Sequence, residues 1–530
     1  MRRRIYITYS IIVTLLIGIF AKIVLISADP NVHAVGITQG RRTVSVASVR
    51  GTIYDRNLVP MVNQNKQYYA SFIPQRKRLD SLKSCLSEEN YRLLLEKAKE
   101  GVPLSIQLES PIVNNADILT FRIPTRYDDY CPSPQLLGYL DNSGQSGLSG
   151  IERAYNDVLR SHSGSVEVTY EVNGSGSHID QSDITINNTV SNSKGGVALT
   201  LDLAIQNAID DIAYEHLDKG AIVVLDAKTG DILAMGSYPT FHPENLKSTI
   251  TENNGALINR ALSLYDCGSI FKIVTSIAAL ENGIPAERCY HCSGEITVDG
   301  TVFHCHNRDG HGALNMKLAF AKSCNAYYIQ LAQEIGAATL MKTINDLGFC
   351  EEIHLAKGIS APPSVLPNIE DLSAPAALAN LSFGQGKLLI SPLQAARLTS
   401  VMTANGTLLN VGAIRGLVKN NNQPELLPER GGETVISAAT VAHMRTMMQA
   451  VVTEGTGIAA QSPLIDSAGK TGTAETGQVN TNGMPVIQSW FTGYFPAIQP
   501  QYVVTVLAED AQNTGNQATK VFCEISNKLI

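Results

Sequence analysis

Ser269 and Lys272 stand three residues apart in the run "SIFKIVTSIAALENG" and could form a nucleophile with its own base. A serine hydroxyl attacks poorly at neutral pH until a neighbour takes its proton, and an amine at i+3 can do so. Both groups need one helix face. Ile270, Phe271, Ile273, Val274, Ile277 and Leu280 recur at near-helical spacing, and Gly283 is a plausible stop. The spacing predicts a helix from Ser269 to about Gly283, with Ser269 in its first turn and Lys272 one turn on. The positive end of the helix dipole and desolvation by apolar neighbours would both push Lys272 toward its neutral form.

Ser-x-x-Lys alone is common in long chains, so its weight depends on two motifs further along the chain. Ser323-Cys324-Asn325 reads as Ser-x-Asn, and Lys470-Thr471-Gly472 as Lys-Thr-Gly, extended by Thr473. Singly, the first is as readily a helix cap and the second a strand end. All three in this order resemble the signature of serine β-lactamases and penicillin-binding proteins. Gly469-Lys470-Thr471 also matches the tail of a P-loop, but that motif needs glycine where Leu464 stands.

The elements that must carry these residues are read from composition and pattern. A chain of 530 residues with 44% hydrophobic content supports two to four domains and a sizeable core. A net charge of −7 gives no nucleic-acid footprint. Arg2, Arg3 and Arg4 precede an apolar run, residues 5–28, whose one charge is Lys22. Its length suits a bilayer-spanning helix. The arginines favour a cytoplasmic start, which predicts an uncleaved signal anchor with the remainder of the chain extracytoplasmic. Residues 1–4 are then a cytoplasmic tail. Residues 29–196 are expected to form a membrane-proximal domain ending in a Ser/Gly/Asn-rich linker with a short strand at Val166–Tyr170. Residues 197–530 should form the catalytic domain.

Within 197–530, "GAIVVLD" and "DILAMGS" flank Ala227-Lys228-Thr229-Gly230 as a hairpin. Helical periodicity returns from Leu314 to Leu347 with a break near Ser323. Strand signals lie in "SAGKTGTAET", "SWFTGYF" and "YVVTVLAED", and an amphipathic helix is expected at 516–529. Strands at both ends with helices between predict an α+β fold with an antiparallel sheet. Nine cysteines leave at least one thiol unpaired or shared between chains. Cys289-x-x-Cys292 with His291, His304, Cys305, His306 and His311 resembles a zinc cluster. The favoured reading is that Cys292 and Cys305 face each other as a disulfide or paired thiols across a hairpin turning at Asp299-Gly300. No metal and no cofactor are assigned.

The chain resembles a class B penicillin-binding protein, a bitopic peptidoglycan D,D-transpeptidase, over nearly its whole length beyond the anchor. Besides the three motifs, "RGTIYDR" (residues 50–56) resembles the box opening the family's pedestal. "SGLSGIERAYNDVL", "LTLDLAIQ", "SFGQG" and "WFTGYFPA" resemble further family segments. The resemblance implies the penicillin-binding transpeptidase (serine β-lactamase-like) fold on an elongated pedestal. It implies Ser269 as the acylated nucleophile, Lys272 as its base, and Ser323 as the relay to the leaving amine. Asn325 would bind the substrate's peptide carbonyl and Lys470 would be the cation completing the proton network. Thr471 and Thr473 would hold the terminal carboxylate, and Gly472 would leave room for the peptide. The oxyanion hole would be the N–H groups of Ser269 and Thr473. Substrates would be peptidoglycan stem peptides, with β-lactams as covalent inhibitors and a SEDS-type glycosyltransferase and divisome or elongation-complex proteins as partners. A zinc site between the first two motifs occurs in some family members. The chain departs from the pattern at Cys267, where proline usually precedes the Gly-Ser pair. A D,D-carboxypeptidase, a β-lactamase-type hydrolase and a non-catalytic penicillin-binding scaffold are the alternatives.

Overall fold

The computed structural model describes residues 2–29, 40–112, 118–173, 179, 183–479, 485–509 and 516–530. It divides into two compact units with interleaved segments: residues 1–51, 63–126 and 162–193 in one, and 52–62, 127–161 and 194–530 in the other. A single boundary at 196/197 therefore does not follow the packing. Thr52–Tyr54 lies parallel to Gly196–Leu199, and Ile53, Leu136, Leu137 and Ile151 join the larger unit's core.

In the smaller unit, helix α1 (Arg2–Ser27) buries none of its residues and has a mean hydropathy of 2.5 in its most apolar window. At 1.5 Å per residue it spans roughly 39 Å, enough to cross a bilayer. Helix α2 (Glu88–Ala98) and two three-stranded antiparallel sheets come next. One orders β1 (Arg41–Val49), β5 (Gly164–Glu171) and β6 (Ile184–Asn188), and the other orders β3 (Leu104–Leu108), β2 (Lys66–Phe72) and β4 (Leu119–Pro124). Strand β5 alternates buried and half-buried residues, as the spacing of Val166, Val168 and Tyr170 predicts. Strand β6 lies where composition predicts a linker. All five of its residues are exposed, Ile184 and Ile186 included, and an alternation of two isoleucines within a Ser/Asn/Asp-rich stretch is too short to mark a strand.

The larger unit centres on a five-stranded antiparallel sheet ordered β8 (Ile232–Tyr238), β7 (Gly220–Asp226), β13 (Tyr502–Ala508), β12 (Pro485–Phe495) and β11 (Ala468–Val479). Strands β7 and β13 are apolar on both faces because helices cover both. Ile222, Val224, Val504 and Val506 pack with helices α3 (Leu203–His216) and α8 (Gln517–Lys528). Val223, Leu225, Val503 and Leu507 face the main core, which contains helices α4 (Lys272–Glu281), α5 (Asn325–Asp346), α6 (Pro392–Thr403) and α7 (Ala438–Glu454). Every residue of α6 is buried. Its N-terminus is set by Ser391, whose hydroxyl accepts the Gln394 N–H, and by Pro392 in the first turn. A buried ladder of hydroxyls, Thr399 to Thr492 at 2.6 Å and Thr492 to Thr505 at 2.7 Å, ties this helix to the sheet. Strand β11 is left at the edge. Among the described residues no strand pairs with its far side, where an extended chain can add.

Candidate active site

The nucleophile stands on a short 3-10 turn, Gly268–Phe271, that feeds directly into α4. Sequence periodicity predicts one continuous helix from Ser269 instead. Gly268 has a φ of +51°, and a Cβ there would lie 2.4 Å from the Thr473 carbonyl oxygen. Glycine lets this turn press against β11 and so sets Ser269 beside Thr473. Gly384, in the "SFGQG" segment, closes the other side: a Cβ there would stand 1.8 Å from the Gly268 carbonyl oxygen.

Gly472 has a different role from the one expected. A Cβ at this position would meet the Cys267 carbonyl oxygen at 2.6 Å, Ile270 Cγ1 at 2.8 Å and Trp490 Cβ at 3.1 Å. The space it leaves is filled by the nucleophile turn and the sheet, not held open for a peptide. Cys267 is fully buried, and burial pushes its thiol pKa up, which makes it a small hydrophobe rather than a second nucleophile. The rigidity a proline would supply comes instead from these close packings and from Trp490, whose indole N–H donates to the Asp266 carbonyl at 2.9 Å.

Lys272 and Lys470 are both completely buried. Lys272 Nζ lies within hydrogen-bond distance of four oxygens: Ser269 Oγ at 2.9 Å, Ser323 Oγ at 3.1 Å, the Ser323 carbonyl at 2.7 Å and Asn325 Oδ1 at 2.8 Å. Lys470 Nζ reaches the same Ser323 Oγ at 3.1 Å and the Thr471 carbonyl at 3.0 Å. Neither pairs with a carboxylate among the described residues; each ammonium instead lies near an aromatic face, Tyr328 for Lys272 and Phe320 for Lys470. Desolvation pulls the Lys272 pKa down to about 7, and desolvation plus the charge of Lys272 pulls Lys470 well below the usual lysine range. Two ammonium groups sharing one hydroxyl cannot both stay charged, so they titrate as a pair.

Ser323 sits at φ +51°, a left-handed conformation unusual outside glycine. Such a backbone costs on the order of 1 kcal/mol, and here the lysine hydrogen bonds to its carbonyl and hydroxyl offset it. All eight residues expected at the site thus belong to one assembly. Ser269, Ser323, Asn325, Thr471 and Thr473 line a cleft of about 770 Å³, with Lys272, Lys470 and Gly472 packed directly behind. The cleft adds residues that no motif singles out. Thr456, just beyond α7, bonds its hydroxyl to that of Thr471 at 2.6 Å. Arg308 and Glu475 also reach the cleft.

The expected hairpin is present as β9 (Glu295–Val298) and β10 (Thr301–His304), turning at Asp299 and Gly300 with positive φ at both. Of the two forms expected for Cys292 and Cys305, a disulfide or paired thiols, the structure has the thiols: none of the nine cysteines is in a disulfide, and these two sulfurs lie within 4.8 Å. Cys292, Cys305, His311 and Cys324 together bring their ligand atoms within 4.8 Å of one another. Tetrahedral zinc with sulfur at about 2.3 Å and nitrogen at about 2.05 Å requires S–S edges near 3.8 Å and S–N edges near 3.5 Å. The Cys305–Cys324 sulfurs are 3.9 Å apart, and His311 Nδ1 is 3.6 Å from Cys292 and 3.5 Å from Cys305. These residues fit a closed Cys3His site, which revises the assignment of no metal. Cys324 escapes a reading by motif because it occupies the variable middle of Ser-x-Asn. It joins the cluster by peptide bonds to Ser323 and Asn325.

Comparison with known proteins identifies the family. Residues 220–527 match the family model "Penicillin binding protein transpeptidase domain". Stage V sporulation protein D of Bacillus subtilis is 26% identical over 94% of this chain and 82% of its own length. Penicillin-binding protein PbpB of Mycolicibacterium smegmatis is 30% identical over 74% of this chain, which spans 63% of that relative. The crystal structure of the D,D-transpeptidase domain of a peptidoglycan glycosyltransferase from Eggerthella lenta superposes with a TM-score of 0.66 at 25% identity, covering 91% of this chain and 97% of that one. With more than half its length inside the transpeptidase family model and relatives of the same kind aligned beyond it, the chain belongs to the class B penicillin-binding proteins.

Proposed function

We propose that the protein is a serine D,D-transpeptidase that cross-links peptidoglycan stem peptides. The observation that carries this reading is the buried Lys272 amine, 2.9 Å from Ser269 Oγ with its pKa drawn to about 7. A neutral amine takes the Ser269 proton as Oγ attacks the carbonyl of the D-Ala–D-Ala bond. Ser323 Oγ, within hydrogen-bond distance of both lysines, passes its proton to the departing D-Ala amine and takes one back from the Lys272 ammonium, which returns to the neutral amine. The substrate's terminal carboxylate lies at Thr471 and Thr473, where it would restore the charge of Lys470. The Asn325 amide binds the peptide carbonyl next to the scissile bond. An amine of a second stem then attacks the Ser269 ester, regenerating the hydroxyl and forming the cross-link. A β-lactam takes the first half of this path and stays on Ser269.

Zinc held by Cys292, Cys305, His311 and Cys324 would have four protein ligands and no open position, so its chemistry there is structural. These ligands would fix the loop that carries Ser323 and Asn325. In this reading α1 anchors the chain in the cell membrane with the catalytic unit outside, where the substrate is. A SEDS-type glycosyltransferase of the division or elongation machinery would supply glycan strands.

Labelling the full-length protein with a fluorescent penicillin, with peptide mapping of the product, tests the reading. The label is expected on Ser269 and absent from Ser269→Ala. A label on any other residue, or none on the wild type, overturns the assignment.

A further inference from the structure

The cleft holds two opposite charges that the acyl-transfer chemistry does not use. Glu475 lies on β11 two residues past Thr473, and Arg308 lies on the loop after β10. Both are exposed, and neither side chain makes a hydrogen bond or ion pair with a described residue. Thr471, Thr473 and Glu475 share one side of the strand, because side chains alternate with period two. Thr473 and Glu475 are exposed whereas Ala474 between them is buried, which fits that alternation.

Register gives these charges a position along the substrate. With the terminal carboxylate at Thr471 and Thr473, the donor peptide runs antiparallel along the β11 edge. The oxyanion hole at the Thr473 N–H sets the penultimate D-Ala level with Thr473, so the residue before it comes level with Ala474, one residue step of about 3.4 Å from Glu475 and within reach of it for a long side chain. We propose that Glu475 and Arg308 form a charge-reading subsite for that residue. It favours a donor whose third side chain ends in both an ammonium and a carboxylate, as diaminopimelate does, over one ending in an ammonium alone, as lysine does. Glu475 accepts from the ammonium and Arg308 donates to the carboxylate. This inference rests on the D,D-transpeptidase reading.

The test uses detergent-solubilised full-length protein and three synthetic pentapeptide donors. They carry meso-diaminopimelate, L-lysine or L-alanine at the third position, and D-Ala release is measured as kcat/KM. Ratios between donors on one preparation do not depend on the fraction folded. The wild type should prefer diaminopimelate to lysine by about fivefold, the scale of one solvent-exposed ion pair. Arg308→Gln should bring that ratio to about one. Glu475→Gln should lower both amine-bearing donors about fivefold relative to the alanine donor. A wild-type ratio near one, or ratios unmoved by the two substitutions, overturns the subsite. Benzylpenicillin acylation of wild-type Ser269 is measured in parallel. If it occurs while the ratios fail, the subsite alone is wrong; if it fails too, the transpeptidase reading falls with it.

Discussion

The pH dependence of acylation comes directly from the burial of Lys272. An exposed lysine titrates near 10.5, so at pH 7 only about one molecule in 3,000 would carry the neutral amine. Desolvation brings the Lys272 pKa to about 7, so about half of the molecules carry a competent base at that pH. Burial therefore raises the availability of the base roughly a thousandfold, which at 1.4 kcal/mol per decade sets an upper bound of about 4 kcal/mol on its contribution to the acylation barrier, because the less basic amine is also the weaker proton acceptor. No carboxylate among the described residues supplies a base in its place: Ser269 Oγ bonds to Lys272, and Ser323 Oγ is shared between Lys272 and Lys470. The expected outcome is a second-order rate of benzylpenicillin acylation that rises with pH to a plateau, with one midpoint near 7. Stopped-flow fluorescence on wild-type protein between pH 5 and 10 reads this profile. Because the two lysines share Ser323, the midpoint belongs to the pair, and Lys470→Ala should shift it. A midpoint above about 9, or a flat profile, refutes desolvation as the activating device.

The same packing sets further outcomes. The neutral Lys272 binds a proton only in the unfolded chain between pH 7 and 10.5, so its burial costs stability at neutral pH and less as pH rises. The Tm difference between Lys272→Met and wild type should therefore move in favour of the wild type across that window; no change with pH contradicts it. Gly472→Ala should cost about 1–3 kcal/mol by overpacking against the Cys267 carbonyl, visible in Tm, and slow acylation about a hundredfold by displacing the nucleophile turn. Thr456→Val removes the 2.6 Å bond to the Thr471 hydroxyl and should weaken donor binding about fivefold, read in KM with kcat little altered. Purified protein should hold one zinc per chain by elemental analysis, and Cys324→Ala or strong chelation should remove it and lower Tm by several degrees. Metal-free wild type with unchanged Tm would count against the site.

Short-range patterns are the most legible part of the site. Ser269 and Lys272 are one turn apart, and the hairpin turn at Asp299-Gly300 depends on two adjacent residues with positive φ. Motif order also locates the catalytic assembly, because each motif lies at the start or end of a regular element. Longer-range packing is not visible in the chain. The reason for Gly472 is the carbonyl of Cys267, and Thr456 lies beside Thr471 through the docking of α7. Cys324 has a place in a known motif, which hides its second role as the fourth ligand of a cluster spread from 292 to 324. The interleaved units are hidden for the same reason: segments such as 52–62 join the larger unit through strand pairing with Gly196–Leu199, not through anything local.

Cross-linking itself is the most direct test of the proposed reaction. Donor pentapeptide strands and an acceptor stem bearing a free amine are incubated with full-length protein, and products are resolved by mass spectrometry. Cross-linked dimers with stoichiometric D-Ala release are expected, both abolished by Ser269→Ala. Hydrolysed tetrapeptide as the sole product, or dimers persisting in Ser269→Ala, would contradict transpeptidation through Ser269.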